Sequence, residues 1–142
     1  MEGYHFTVDE RVIWRDLDSL GHVNNAVYAT YFETGRIEYF GQVIGDYQEI
    51  SSLILAEITV TYKSPAYLGE TLVIGVRISE VRNSSFIMES QITDQKTGRL
   101  VATSRAVLVC FDYTAQRSVP VPAAWRDVVG RFEGRDFSAG EA

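Results

Sequence analysis

The sequence predicts an α+β domain in which one long helix lies against an antiparallel sheet of five strands. A stretch without helix breakers carries Tyr28, Tyr31, Phe32, Gly35 and Tyr39, spaced i, i+3, i+4, i+7 and i+11, which forms one helical stripe. Beyond it, residues 53–62, 71–81, 86–93 and 100–111 form runs rich in β-branched and aromatic residues. Short turn signals separate them, among them Arg82-Asn83-Ser84 and Asp94-Gln95-Lys96-Thr97-Gly98, and short connections make neighbouring strands antiparallel.

The chain begins with a strand expected from Phe6 to Trp14, followed by a turn starting at Asp16. The helix is expected from near Asn24 to about Val43, with Asn24 or Asn25 capping free N–H groups. Gly35 inside it costs about 1 kcal/mol relative to Ala, tolerable where backbone must lie close against a sheet. Glu33 and Arg36, three apart, are expected to pair on the exposed side. Residues 44–51 make a connector. In the next run Leu72, Ile74, Val76 and Ile78 alternate with Val73, Gly75, Arg77 and Ser79, a clear period of two. After Pro120 and Pro122 a short helix is expected over 124–130, with a frayed tail beyond Gly134. One helix cannot cover both faces of such a sheet, so the open face or an edge calls for a second copy of the chain.

A length of 142 residues fits a single domain, taken as 1–142. The hydrophobic share of 46% and charged share of 23% are those of an ordinary globular protein. A net charge of −6 argues against nucleic-acid binding but leaves room for a phosphate-bearing ligand held by a few local cations. The single cysteine, Cys110, lies in an apolar run and is expected to be a buried, inert thiol. No basic segment precedes an apolar one at the N-terminus and no run approaches the roughly 18 apolar residues of a span, so a cytoplasmic protein is expected.

Chemistry concentrates between Arg15 and Tyr28. Asp16, Asp18, His22, Asn24 and Asn25 crowd into a polar turn ahead of the helix. At a helix N-terminus, unpaired amides and the dipole favour negative charge or a polarised carbonyl oxygen. A carboxylate beside such an oxyanion site suits acyl transfer. Asp18 is the candidate nucleophile or general base, with a turn-capping role as the alternative. His22 is expected to orient water, hold Asp18 or donate to a leaving group, or else to be a turn histidine bonded to backbone. Asn25 is expected to bind water or the carbonyl, or to cap the helix. Asp16 is expected to be structural, paired with Arg15 or backbone, and His5 incidental. His22 lacks partners at metal-ligand spacing, so no metal is expected. No Gly-x-Ser-x-Gly elbow is present, which counts against a serine hydrolase.

The string Asp16-Leu17-Asp18-Ser19-Leu20-Gly21-His22-Val23-Asn24-Asn25-Ala26-Val27-Tyr28, continuing to Tyr31-Phe32-Glu33 and Arg36, resembles the signature of the 4-hydroxybenzoyl-CoA thioesterase family of the hotdog-fold superfamily. Tyr62-Lys63-Ser64-Pro65-Ala66 with Gly69-Glu70 is similar to that family's second-strand ending. The resemblance implies a sheet wrapped around the helix, a homodimer often stacked into a dimer of dimers, and metal-free hydrolysis of acyl-CoA or acyl-carrier-protein thioesters. It assigns the catalytic carboxylate to Asp18. One branch carries a histidine where this chain has Asn25. In the plant acyl-carrier-protein thioesterases the histidine falls on His22, but their asparagine two residues after the Asp is Leu20 here, and their further acid has no match near Ser64. The chain thus matches neither branch throughout.

The function so implied is an acyl-CoA thioesterase, with coenzyme A entering as part of the substrate and no cofactor, nucleic acid or membrane involved. Asp18, His22 and Asn25 are its candidate catalytic residues, and the Val23, Asn24 and Asn25 amides its oxyanion site. Lys63, Arg77, Arg82, Arg99 and Arg105 are candidates for coenzyme A phosphates, with Ser84 and Ser85 beside Arg82 as the most plausible local site. Tyr28, Tyr31 and Phe32 are candidates for an acyl pocket. The rivals are a non-catalytic acyl-CoA binder and a hotdog hydratase or dehydratase.

Overall fold

The apolar stripe and the alternating runs fold as their periods require. The computed structural model describes residues 1–45 and 52–138. Helix α1 (Val27–Val43) follows strand β1 (Phe6–Arg11), and strands β2 (Leu53–Tyr62), β3 (Thr71–Val81), β4 (Ser85–Asp94) and β5 (Leu100–Asp112) come next. A short β6 (Arg117–Ser118) and helix α2 (Ala123–Glu133) complete the order. The antiparallel sheet runs β1-β3-β4-β5-β2, with β6 added to the end of β5. Register shifts between Leu55 and Glu57 in β2, and between Ile78 and Glu80 in β3, bend the sheet toward the helix.

Tyr28, Tyr31, Phe32, Gly35 and Tyr39 are all buried, against a β3 whose Leu72, Ile74, Val76 and Ile78 are also buried. Gly35 makes the close approach expected of it: a Cβ there would sit 2.8 Å from Ile74 Cγ2 and 2.9 Å from Val76 Cγ2. Helix α2 closes the core with Trp125 stacked on Phe86. Glu133 at its end accepts hydrogen bonds from the Tyr39 hydroxyl (2.6 Å) and the Ile78 N–H (3.0 Å), joining both helices to β3.

Several boundaries differ from expectation. The first strand stops at Arg11, because Val12 leaves β1 to pair with the β2–β3 loop, its N–H donating to Glu70 O and its carbonyl accepting from Gly69 N–H. Trp14–Asp16 form a 3-10 turn, and Trp14 is 77% exposed. Helix α1 starts at Val27, because Asn24 to Val27 close a turn of their own: Asn24 accepts from Ala26 N–H at Oδ1 and from Val27 N–H at its carbonyl. The tail expected to fray from Gly134 instead packs back as far as Ser138, with Phe137 buried and its carbonyl bonded to Arg126. Residues 139–142, and 46–51 of the expected connector, lie outside the described residues.

The open sheet face is a polar concavity lined by residues including Thr59, Thr61, Arg77, Glu89, Thr103 and Arg105. Among the described residues edge strand β2 has a strand partner on its β5 side only. Cys110 is buried, and burial pushes its thiol up to about 11. Among the described residues no helix is long and apolar enough to cross a membrane.

Candidate active site

The polar turn ahead of α1 folds as a tight loop pinned by backbone. Asp18 N–H donates to His22 O (2.9 Å), Gly21 N–H donates to Asp18 O (3.2 Å), and Leu17 bridges Val23. Gly21 turns the chain with a φ of 85°, a left-handed conformation that favours glycine. The Asp18 carboxylate accepts from Leu20 N–H at Oδ1 (2.8 Å), which leaves Oδ2 directed at His22, 3.3 Å from Nδ1. The four-residue spacing of Asp and His is thus what lets one loop hold both groups face to face. Both side chains are half-buried.

A cleft of about 240 Å³ opens beside this pair, lined by His22, Val23, Asn25, Tyr28, Tyr62, Lys63, Ser64 and Pro65. His22 forms part of its wall; Asp18 stands behind His22 and does not line it. Tyr62 holds the far side, with its hydroxyl donating to Asn25 O (3.0 Å) and its ring 5.3 Å from that of Tyr28. Burial pushes the Tyr28 phenol up, opposed by a hydrogen bond from the Ala66 backbone. Arg99 stiffens the rim, donating to Ser64 Oγ, Pro65 O and both Glu70 oxygens.

Three of the expected oxyanion donors meet different fates. The Val23 N–H donates to Ala66 O and the Asn24 N–H to Asp16 O, both at 2.9 Å, so these amides are consumed by the loop itself. The Asn25 N–H has no partner among the described residues and sits at the cleft. Asp16 is structural as expected, but its carboxylate takes the Ile13 N–H and the Tyr31 hydroxyl (2.7 Å) rather than Arg15. That bond and its burial put Tyr31 in the core, as complete burial does Phe32, so of the three aromatic acyl-pocket candidates only Tyr28 reaches the cleft.

The basic candidates also divide. Lys63 lines the cleft. Arg77 pairs with Glu89, Arg82 with Glu80 and Arg99 with Glu70. Arg82, Ser84 and Ser85 sit at the β3–β4 turn, and the sheet register separates them from the cleft: Ser85 pairs with Val109, whereas Tyr62 pairs with Ala102, on the order of 23 Å along β5. Within one chain they do not join Lys63. Tyr62, Ser64 and Pro65 received no role from the sequence, although the Tyr62-Lys63-Ser64-Pro65-Ala66 string that carries them was part of the resemblance. Among the described residues no cluster of three or more His, Cys, Asp or Glu side chains is arranged to hold a metal ion.

Residues 12–129 match the family described as the thioesterase-like superfamily. The chain belongs to that superfamily. The thioesterase-like chain is similar to a solved thioesterase of Thermus thermophilus, complexed with coenzyme A and Zn: 38% identity, a TM-score of 0.87, and coverage of 95% of this chain and 98% of that one. The fold is therefore the hotdog thioesterase fold. Among curated relatives, it is 28% identical to the chloroplastic acyl-acyl carrier protein thioesterase ATL2 of Arabidopsis thaliana, over 92% of this chain and 71% of the relative. It is 26% identical to the long-chain acyl-CoA thioesterase FadM of Escherichia coli, over 78% of this chain and 86% of the relative. The class of enzyme expected from the Asp18–Tyr28 string is the class to which these relatives' names belong.

Proposed function

We propose that this chain is an acyl-CoA thioesterase, hydrolysing an acyl thioester to a carboxylic acid and a free thiol. Coenzyme A is the carrier thiol, and acyl-carrier protein is the alternative carrier. The observation that carries this reading is the Asp18–His22 pair, 3.3 Å apart, with His22 in the wall of a cleft also lined by Asn25, whose N–H has no partner among the described residues. The Asp18-to-Tyr28 string supports the closer kinship with the 4-hydroxybenzoyl-CoA thioesterases.

In this mechanism the thioester carbonyl lies in the cleft with its oxygen toward the Asn25 N–H. That amide has no partner among the described residues, so it stabilises the charge that develops on oxygen without giving up another bond. The Asp18 carboxylate, set back behind His22, takes a proton from a water that adds to the carbonyl carbon; direct attack to give an anhydride would need the carboxylate in the cleft, which Asp18 does not line. The C–S bond breaks as the tetrahedral species collapses, and the thiolate leaves. His22 holds Asp18 and supplies a proton to the departing sulfur. Lys63, at the cleft wall, is suited to a phosphate of the carrier. Coenzyme A thus enters as leaving group, and no other cofactor takes part.

A second reading follows from the position of His22 in the cleft wall. Here His22 is the base and Asp18 orients it, as in other carboxylate–histidine pairs. The two readings separate on a thioester of an acidic thiol, which needs no proton on the departing sulfur: His22→Gln still turns it over if Asp18 is the base and does not if His22 is.

The unpaired β2 edge supports a homodimer. Among the described residues the outer side of this ten-residue strand has no ladder partner, and Leu55 and Tyr62 are exposed, whereas the other edge strand, β1, is shorter and charged. Two such dimers would meet through polar surface, so light scattering over a concentration series distinguishes dimer from tetramer. The activity is tested by thiol release over a panel of aliphatic and aromatic acyl-CoAs and acyl-carrier-protein thioesters. Turnover of at least one class is expected. Saturable binding of the whole panel without thiol release would instead mean a passive acyl-CoA binder.

A further inference from the structure

Within one chain helix α1 packs on β1 and β3, and among the described residues its other side is left open along edge strand β2, so that in the proposed homodimer a second copy borders this side. Asn25, Ala29, Glu33 and Ile37 are exposed along that side. Two concavities lie on it. The first is the candidate cleft at Asn25, Tyr28 and Tyr62. The second, of about 320 Å³, lies further along the helix and is lined by Glu33, Arg36, Ile37, Phe40, Leu53, Leu55 and Leu108. From Asn25 to Arg36 the chain advances on the order of 16 Å at the helical rise, the reach of a medium or long acyl chain.

The second concavity is apolar except for two groups. Arg36 is 5% exposed, and its Nη1 is buried with no hydrogen-bond partner among the described residues. Contrary to expectation, Arg36 does not lie on the exposed side in an ion pair with Glu33: no direct pair forms between them among the described residues, although the Glu33 charge acts on Arg36 from a distance. Among the described residues no hydrogen bond holds the guanidinium in its rotamer, so it can turn toward a ligand without breaking one of these. A buried N–H of a charged group left unpaired is unfavourable, and a ligand acceptor would relieve it.

The pair of side chains specifies the ligand. Arg36 only donates and the Glu33 carboxylate only accepts. A hydroxyl does both, accepting from the guanidinium and donating to the carboxylate. A carboxylate would meet Arg36 but be repelled by Glu33, and a plain hydrocarbon would leave the cation unpaired. We propose that this second concavity recognises a hydroxyl on the distal part of the acyl chain, so that hydroxyacyl thioesters are the preferred substrates, a specificity that rests on the thioesterase reading of the cleft.

The test uses coenzyme A thioesters at several chain lengths, each with a methyl, hydroxyl or carboxyl terminus, on the wild type, Arg36→Met and Glu33→Gln. Calorimetry with the corresponding hydrolysis-resistant thioethers runs beside it. At the length that reaches Arg36, the wild type should favour the hydroxyl over the methyl terminus by about tenfold or more in kcat/KM. That ratio should fall toward one in Arg36→Met. Glu33→Gln should narrow the preference for hydroxyl over carboxyl, and because Glu33 is exposed this variant carries the test if Arg36→Met fails to fold. Equal kcat/KM for hydroxyl and methyl termini at every length, with hydrolysis present, overturns the inference and leaves the thioesterase reading standing. A hydroxyl preference among the thioethers without hydrolysis of any thioester sinks the thioesterase reading and keeps the recognition site. Loss of the dimer in Arg36→Met, with no hydroxyl preference in the wild type, assigns the guanidinium to a subunit contact and overturns the inference.

Discussion

Two glycines show how single residues set up the site and the core for different reasons. Gly21 has nothing within 4 Å of where a Cβ would lie, but its φ of 85° places it in the left-handed region. Gly21→Ala therefore strains backbone alone, at about 1–2 kcal/mol. Because that strain falls between Asp18 and His22, the expected result is a fall in kcat larger than the modest loss of stability, read by steady-state kinetics beside a urea melt. Gly35 is the opposite case, with ordinary backbone and no room. Gly35→Ala drives a methyl into Ile74 and Val76, and should cost about 1–3 kcal/mol through overpacking. Equal urea midpoints for Gly35→Ala and wild type would show that α1 does not seat on β3 as described. At Cys110 the thiolate is suppressed by burial, with the nearby Arg126 opposing, so an aromatic disulfide reagent should leave it unmodified in the native protein and react once denaturant is added. Rapid labelling of the native protein would contradict its burial.

At the scale of elements, the sheet and helices are tied by a carboxylate. Glu133 in α2 takes hydrogen bonds from Tyr39 in α1 and from Ile78 in β3, and burial together with that carboxylate pushes the Tyr39 phenol far above its ordinary value. Tyr39→Phe leaves one carboxylate bond unmade in a buried place, and a loss of about 1–3 kcal/mol in denaturant unfolding is expected. An unchanged midpoint would mean that solvent reaches Glu133. The elements themselves were legible because their signals are periodic: the stripe from Tyr28 to Tyr39 and the alternation in β3 require no knowledge of distant residues. Their ends were not. β1 stops where Val12 bonds to Glu70, a partner far along the chain that no local pattern reveals, and α1 starts late because Asn24 closes a turn of its own with Ala26 and Val27. Arg36 was misread for a related reason. A charge three residues from Glu33 looks like a surface pair, yet its direction on the helix places it between the buried Gly35 and Phe40 side of the stripe and the groove beside β2.

At the scale of the whole molecule, the open sheet face carries charge that responds to pH. Burial alone would raise the Glu89 carboxyl, but hydrogen bonds from Arg77 and Ser79 and the charges of Arg77 and Arg105 outweigh it, so the net shift is downward. A depressed folded-state value stabilises the protein above the ordinary glutamate range, and that contribution fades as pH falls through the lowered value. Glu89→Gln should therefore narrow the stability difference between about pH 6 and pH 3, followed by circular dichroism. An unchanged difference would mean that the Arg77–Glu89 pair does not favour the ionised carboxylate. The candidate site was legible only where one loop builds it. Holding Asp18 was one of several roles open to His22, and the loop realises it, but Arg82, Ser84 and Ser85 were grouped with Lys63 by chemistry alone, and strand register keeps them at the other end of β5. The Val23 and Asn24 amides were misjudged because the loop uses them to fix its own shape. What remains is an acid behind a histidine at a cleft, with the Asn25 amide unpartnered among the described residues. The direct measurement is thiol release from an acyl-CoA that the wild type turns over, repeated with Asp18→Asn, which retains the oxygen that accepts from Leu20 N–H. A fall in kcat of about 10²-fold or more at unchanged thermal stability is predicted, whereas turnover within a few fold of wild type would contradict the assignment of Asp18 to the chemistry.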